Sequence, residues 1–201
     1  MPNQTKIILA SQSAIRKKLL ENANIEFIAI NSGVDEELAK ISLRQMGIKP
    51  QDQAHELAKL KAQKISNKYP NDFVIGCDQM LALNDEVFDK ANNLEEAKQR
   101  LLYFRGKTHS LCNSVVIYYN NALIWRMDSA PKLKMRDFSD DFLDHYLNIC
   151  GEKILSSVGC YQLEGMGLQL FEEIKGDYFT ILGLPLIETT NFLRLHNLVR
   201  V

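Results

Sequence analysis

The chain has 201 residues, 46% of them apolar and 24% charged, with a formal net charge of −1. That length supports one large domain or two small lobes with a substantial core. The near-zero charge excludes a field that would recruit nucleic acid or an anionic membrane surface. No apolar run is long enough to span a bilayer. The patch Ile7-Ile-Leu-Ala10 is too short for a signal-peptide core and has no small-residue cleavage site after it, so a cytoplasmic protein is expected. Cys77, Cys112, Cys150 and Cys160 are widely spaced without a C-x-x-C pair, which reads as buried, reduced thiols.

In chain order, Lys6 to Ala10 reads as the first strand. Ser11-Gln-Ser13 follows, then a short helix from Ala14 to about Asn22 with Ile15, Leu19 and Leu20 on its inner side. A strand, a Ser-rich turn and a helix N-terminus together offer N–H groups and hydroxyls that suit a phosphate, and Arg16 and Lys17 add charge there. The plainer reading is that Ser13 is an N-cap. Ile25 to Asn31 reads as a second strand that runs into the acidic loop Ser32-Gly-Val-Asp-Glu-Glu37.

Gln51 to about Lys68 is the clearest helix. Ala54, Leu57, Ala58 and Ile65 form its apolar stripe, and Lys61 falls near the middle of that stripe. A lysine there must either snorkel to water or meet an anion. Phe73-Val-Ile-Gly-Cys-Asp-Gln-Met-Leu81 reads as a buried strand that delivers Asp78 at its C-terminal end. Open α/β sheets place their chemistry at such ends; a hairpin opening is the alternative. The acidic loop and Asp78 both follow strands, so their carboxylates could converge on one divalent cation.

Met80 to Leu83 and Glu86 to Phe88 form a hairpin pattern across Asn84-Asp85. Asn93 and Glu96 make a capping-box pattern for a helix whose inner face is Leu94, Ala97, Leu101 and Phe104. Thr108 to Tyr119 and Ala122 to about Met135 read as a long hairpin around Asn120-Asn121, its Tyr118, Tyr119 and Trp125 assigned to packing or an oligomer contact. Ser139 caps a helix that turns Phe142, Leu143, Tyr146, Leu147 and Cys150 inward. Ser156 to Gly167 is a glycine-punctuated loop carrying Glu164. Leu168 to Ile174 is a strand, Gly176 to Pro185 a compact turn, and Pro185 opens a last helix to about Leu198. The alternation predicts an α/β fold with a mixed sheet.

Several of these stretches, in this order, resemble the Maf family of nucleotide pyrophosphatases. They are Leu9-Ala-Ser-Gln-Ser13, Val34-Asp-Glu36, Leu57-Ala-Lys-Leu-Lys-Ala62, Val74-Ile-Gly-Cys-Asp78, Phe88-Asp-Lys90, Arg105-Gly-Lys-Thr-His109, Gly159 to Gly167 and Gly176 to Pro185. The resemblance implies a Maf and inosine-triphosphate-pyrophosphatase type of fold: a mixed, strongly twisted sheet with flanking helices and two lobes around a cleft. It implies hydrolysis of a nucleoside triphosphate between its α and β phosphates, with Mg²⁺ or Mn²⁺. It places the proton acceptor on Asp78 and a second acid on Glu36, both also metal ligands. Substrate phosphate falls to Ser11, Ser13, Arg16, Lys61 and Lys90. A homodimer is a further expectation.

The chain departs from the family's common pattern. Ala14-Ile-Arg16 stands where Pro-Arg-Arg is usual, Gln79 follows the catalytic Asp in place of Thr, and Glu164 replaces a loop Gln. Lys90 is flanked by Asp89 and Ala91 rather than Gly and Pro. The first three changes resemble the subfamily that prefers 7-methyl-GTP, which makes Ile15, Gln79 and Glu164 candidates for reading the base. Methylation at N7 makes guanine cationic, so an uncharged Ile15 avoids repulsion and a Glu164 carboxylate attracts. Two other readings compete: a broad house-cleaning pyrophosphatase of the dTTP and UTP type, and a nucleotide-binding regulator of septum formation without catalysis. A thiol enzyme built on Cys77 is a distant third, because no His stands near it in sequence.

Overall fold

A computed structural model describes residues 5–200 of the chain, so the leader reading lies in part outside the described residues. The fold is a mixed open sheet flanked by helices. The chain divides into two compact units, each built from separated segments.

The first unit comprises the chain up to Gln79, Cys112–Ser129 and the chain from Asp177 onward. Strand β1 (Ile7–Leu9) pairs in parallel with β2 (Ile28–Ala29) on one side and β3 (Phe73–Leu83) on the other. β5 (Thr108–Tyr119) lies next to β3 in the sheet and pairs with β6 (Ala122–Ser129) as an antiparallel hairpin. Asn120 and Asn121 take φ of 51° and 60° at its turn, the conformation that two-residue hairpins favour. Around these strands lie α1 (Ala14–Asn22), α2 (Glu36–Gln45), α3 (Pro50–Ser66), α6 (Tyr178–Ile181) and α7 (Leu186–Leu195).

Strand alternation gives this unit two cores. Ile7, Leu9, Phe73, Ile75 and Cys77 join Leu19 and Leu20 of α1 and Phe192 and Leu193 of α7. Ile8 and Val74 face the other way and pack on Ala58, Ala62 and Ile65 of α3. Tyr119 stacks on Phe73 at 4.5 Å and Trp125 meets Phe192 at 5.4 Å, so the hairpin aromatics serve packing. α2, not anticipated as an element, is capped by Asp35 and buries none of its residues.

The second unit is Met80–Leu111 and Ala130–Gly176. Here the later part of β3 pairs with β4 (Glu86–Phe88) across Asn84-Asp85, again with positive φ at both turn residues. β7 (Lys132–Met135) pairs with the start of β5 and with β8 (Phe171–Lys175), both antiparallel. Ala122 to Met135 is therefore two strands and not one. Pro131 interrupts it, since proline cannot donate to a ladder; its carbonyl instead accepts from Leu111 N. α4 (Leu94–Phe104) has the expected Asn93 cap, but Glu96 reaches back to Asn92 rather than Asn93. α5 (Asp140–Cys150) buries Leu143 and Tyr146, and two 3₁₀ turns, Gly151–Ser156 and Met166–Leu170, flank the glycine-rich loop.

Candidate active site

Two periodicities build the site. On β3, Val74, Gly76 and Asp78 share the face turned to α3. On α3, Ala58, Lys61, Ala62 and Ile65 follow helical spacing and are all buried. Gly76 is what allows the two to meet: a Cβ there would lie 2.7 Å from the Ala62 Cβ and closer still to the Ala58 carbonyl. Helix and strand thus approach backbone to backbone, and the next residue on each face is Lys61 and Asp78.

Lys61 Nζ donates to Asp78 Oδ1 at 2.6 Å, with both side chains more than nine-tenths withdrawn from water. The same ammonium stands 2.8 Å from Glu36 Oε2, whose side chain is 43% exposed. The inward lysine has therefore met anions and does not snorkel. Burial raises the Asp78 carboxyl above the ordinary carboxylate range, with the Lys61 and Arg16 charges pulling against it. Glu36 owes its place to the Asp35 cap, which fixes the first turn of α2, and to Lys64 Nζ, which donates to the Gly33 carbonyl of the preceding loop.

Asp78 is not at a strand end. It is the sixth residue of the eleven in β3, because Met80 to Leu83 continues the ladder into the hairpin with β4. It stands instead two residues before the chain leaves the first unit.

The Ser-rich junction forms as expected, with a different inner residue. Ser13 Oγ accepts from Arg16 N at 3.5 Å, the plain N-cap. Ser11 is buried, and its Oγ accepts from Ser13 N at 3.2 Å and from Arg16 Nη1 at 3.4 Å. Ile15, expected inside, is only half-buried, and Arg16 takes the inner position. Its Nε donates to the Gly183 carbonyl at 2.8 Å and its Nη1 to the Cys77 carbonyl at 3.0 Å. Gln79 Nε2 donates to the carbonyls of Ile181, at 3.0 Å, and Thr180, at 3.5 Å.

Lys90 and Glu164 belong to the second unit, and both are exposed. Sequence reasoning missed the residue that organises their loops. Arg100 of α4 donates to the Asp89 carbonyl beside Lys90 and, at 2.9 Å, to the Val158 carbonyl, while pairing with Glu96. Its only sequence signal is a position four residues after Glu96. All four cysteines are free thiols; burial pushes the Cys77 thiol up, away from the thiolate that nucleophilic chemistry needs.

No group of three or more His, Cys, Asp and Glu side chains among the described residues is arranged to hold a metal ion. Glu36 and Asp78 do bring two carboxylates to one cationic point, now served by Lys61. Two carboxylates, with substrate phosphate oxygens completing the shell, are the donor set that Mg²⁺ commonly takes. No helix among the described residues is long and apolar enough to cross a membrane.

A family model described as "Maf-like protein" matches residues 6–196. The chain is 49% identical over 197 residues to a nucleoside triphosphate pyrophosphatase of Caulobacter vibrioides, covering 98% of each chain. It is 48% identical to one of Granulibacter bethesdensis, covering 98% of this chain and all of the other. It is 47% identical over 182 residues to a 7-methyl-GTP pyrophosphatase of Brucella suis, covering 90% and 92%.

Proposed function

The chain belongs to the Maf family, and we propose that it hydrolyses the α–β phosphoanhydride of a nucleoside triphosphate, releasing the monophosphate and pyrophosphate. The observation that carries this is the buried Lys61–Asp78 pair with Glu36 on the same ammonium. A carboxylate held out of water, with burial raising its proton affinity above that of an ordinary carboxylate, is suited to general-base work. In this reading Asp78 orients a water for in-line attack on the α phosphorus and takes its proton. Lys61 meets the triphosphate and offsets charge passing to the leaving pyrophosphate. Ser11 and Ser13, at the α1 N-terminus, offer hydroxyls to the phosphates; a phosphate role for Lys90 rests on the family resemblance alone. Positioning and electrostatics supply most of the rate in such transfers.

Glu36 and Asp78 are the residues that would hold Mg²⁺ or Mn²⁺. Such an ion, when bound, polarises the phosphates as a Lewis acid. Glu36 is the more accessible of the two acids, which suits it to follow a substrate-borne cation, while the buried Asp78 keeps the proton role.

For the base we propose a modified purine, 7-methylguanine first, with the Glu164 carboxylate as its reader and an uncharged Ile15 where an arginine would repel a cationic ring. Support comes from the names of the relatives: pyrophosphatases of 7-methyl-GTP occur among the similar proteins together with ones named only for nucleoside triphosphates. A cytoplasmic location follows from such a substrate. The test is pyrophosphate release from 7-methyl-GTP, GTP, UTP, dTTP and CTP with Mg²⁺ or Mn²⁺, wild type against Asp78→Asn. Preferential, Asp78-dependent turnover of 7-methyl-GTP is expected. Preference for UTP or dTTP would keep the reaction and discard the base assignment, and no release from any would favour the binding-protein reading.

A further inference from the structure

Both chain neighbours of Asp78 are fastened to the same short stretch. On one side the Cys77 carbonyl accepts from Arg16 Nη1, and Arg16 Nε continues to the Gly183 carbonyl. On the other the Gln79 amide donates to the Ile181 and Thr180 carbonyls. We propose that the turn 177–184 is a splint for Asp78, and that Arg16 and Gln79 are the positioning residues that join strand to splint. The inference rests on the reading of Asp78 as the base, and it gives Arg16 and Gln79 a task other than the phosphate and base contacts that the family resemblance implies.

The stretch is built to be stiff. Asp177 Oδ2 accepts from Thr180 N at 2.7 Å and from Thr180 Oγ1 at 2.9 Å, with Thr180 buried. Gly183 N returns to Thr180 O at 2.9 Å and Leu184 N to Phe179 O. Gly183 has φ of +97°, which side chains rarely adopt, and a Cβ there would stand 3.2 Å from Arg16 Nε. A side chain at 183 would thus crowd the guanidinium where it reaches the carbonyl, besides straining the backbone. Arg16 itself is 8% exposed, and its planar fork spans two carbonyls that come from residues 61 and 167 positions away. An ammonium is a compact point charge and cannot span them in that way. Four hydrogen bonds to carbonyls therefore set the backbone on either side of Asp78, where a displacement of about 1 Å costs on the order of a hundredfold in rate.

The alternatives separate cleanly. A phosphate ligand at position 16 changed to Lys weakens substrate binding and leaves the turn of the free protein as it was; a brace changed to Lys loosens that turn. A base reader at position 79 alters the order of substrates when changed; a brace lowers all of them together. In Arg16→Lys we expect kcat to fall by about a hundredfold with KM within threefold. In Gln79→Glu the carboxylate can only accept, so both bonds are lost. Turnover of each triphosphate should fall by the same factor, about tenfold or more, with their order unchanged. In both variants the amides of Ile181 to Leu184 should exchange hydrogen about tenfold faster in the free protein. That readout needs no substrate, so it stands apart from whether the proposed reaction is right. Gly183→Ala supplies the same exchange test if Arg16→Lys fails to fold. Unchanged exchange would overturn the splint, as would retained kcat with a tenfold higher KM in Arg16→Lys, or a reordered base preference in Gln79→Glu.

Discussion

Lys61 and Asp78 are seventeen residues apart in sequence and 2.6 Å apart in space, an ion pair with both partners buried. Burial raises Asp78 from its ordinary value of 3.8, and Lys61 is the largest charge acting against that rise. Taking Lys61 away leaves burial less opposed. For Lys61→Met we expect kcat/KM for the preferred triphosphate to fall by roughly 10²–10³-fold. The acid limb of the pH profile should also move to higher pH, because in the proposed mechanism Asp78 acts as the deprotonated base, and without Lys61 it holds its proton more tightly. The profile of kcat/KM for both proteins checks this; a limb that stays in place would show that Lys61 does not set the proton affinity of Asp78.

Gly76 governs that pair without touching it. Its missing Cβ is the space that Ala58 and Ala62 of α3 occupy. Gly76→Ala should force α3 away from β3, costing roughly 1–3 kcal/mol as an overpacked core does. Separation of Lys61 from Asp78 should carry pyrophosphate release down with it. Urea unfolding and activity on the same preparation test the coupling. Wild-type activity at reduced stability would mean that α3 yields elsewhere than at Lys61.

What the sequence made legible follows from range. Lys61 could be read because helical spacing placed a charge within an apolar stripe, a conflict that only an anion or water resolves. Ser13 could be read because its cap partner, Arg16 N, is three residues away. The two hairpin turns announced themselves through Asn-Asp and Asn-Asn. Arg16 was misplaced relative to Ile15 because the carbonyls that draw it inward, at Cys77 and Gly183, are distant in sequence. α2 is not legible because it buries none of its residues, and exposed Leu38 and Ile41, with Met46 just past its end, give no clean division of faces. In sequence Asp78 reads as a strand end because the Gly76–Asp78 punctuation looks like a stop, whereas Gly76 serves the approach of α3.

His109 carries a separate, testable load in the second unit. It is 1% exposed; its Nε2 lies 2.7 Å from the Tyr161 hydroxyl, and its Nδ1 has no partner among the described residues. Burial lowers its pKa from 6.5 to about 4. The unfolded chain therefore binds a proton that the folded chain refuses between those values, so stability rises with pH through that window. The contribution is fully present above 6.5 and lost as pH falls toward 4, about 3 kcal/mol in all. His109→Gln should flatten that part of the profile. Urea unfolding of both proteins at pH 7 and 4.5 measures it, and an equal drop in the two would assign the pH dependence to other groups.

Glu164 offers the sharpest test of the base. It is exposed in the glycine-rich loop, so a substitution there should leave the core of its unit intact. A carboxylate can accept from guanine N1–H and N2–H₂ together while attracting a ring made cationic by methylation at N7; a Gln amide has one acceptor and no charge. Charge-assisted hydrogen bonds are roughly twice as strong as neutral ones. Glu164→Gln should therefore lower kcat/KM for 7-methyl-GTP by about 10–100-fold. UTP turnover should fall by less than about threefold, since no such pair is lost. Pyrophosphate release from both substrates at matched metal concentration decides the matter. Equal losses would mean that Glu164 supports the loop and does not read the base, and a gain for UTP alone would favour the dTTP and UTP type of pyrophosphatase.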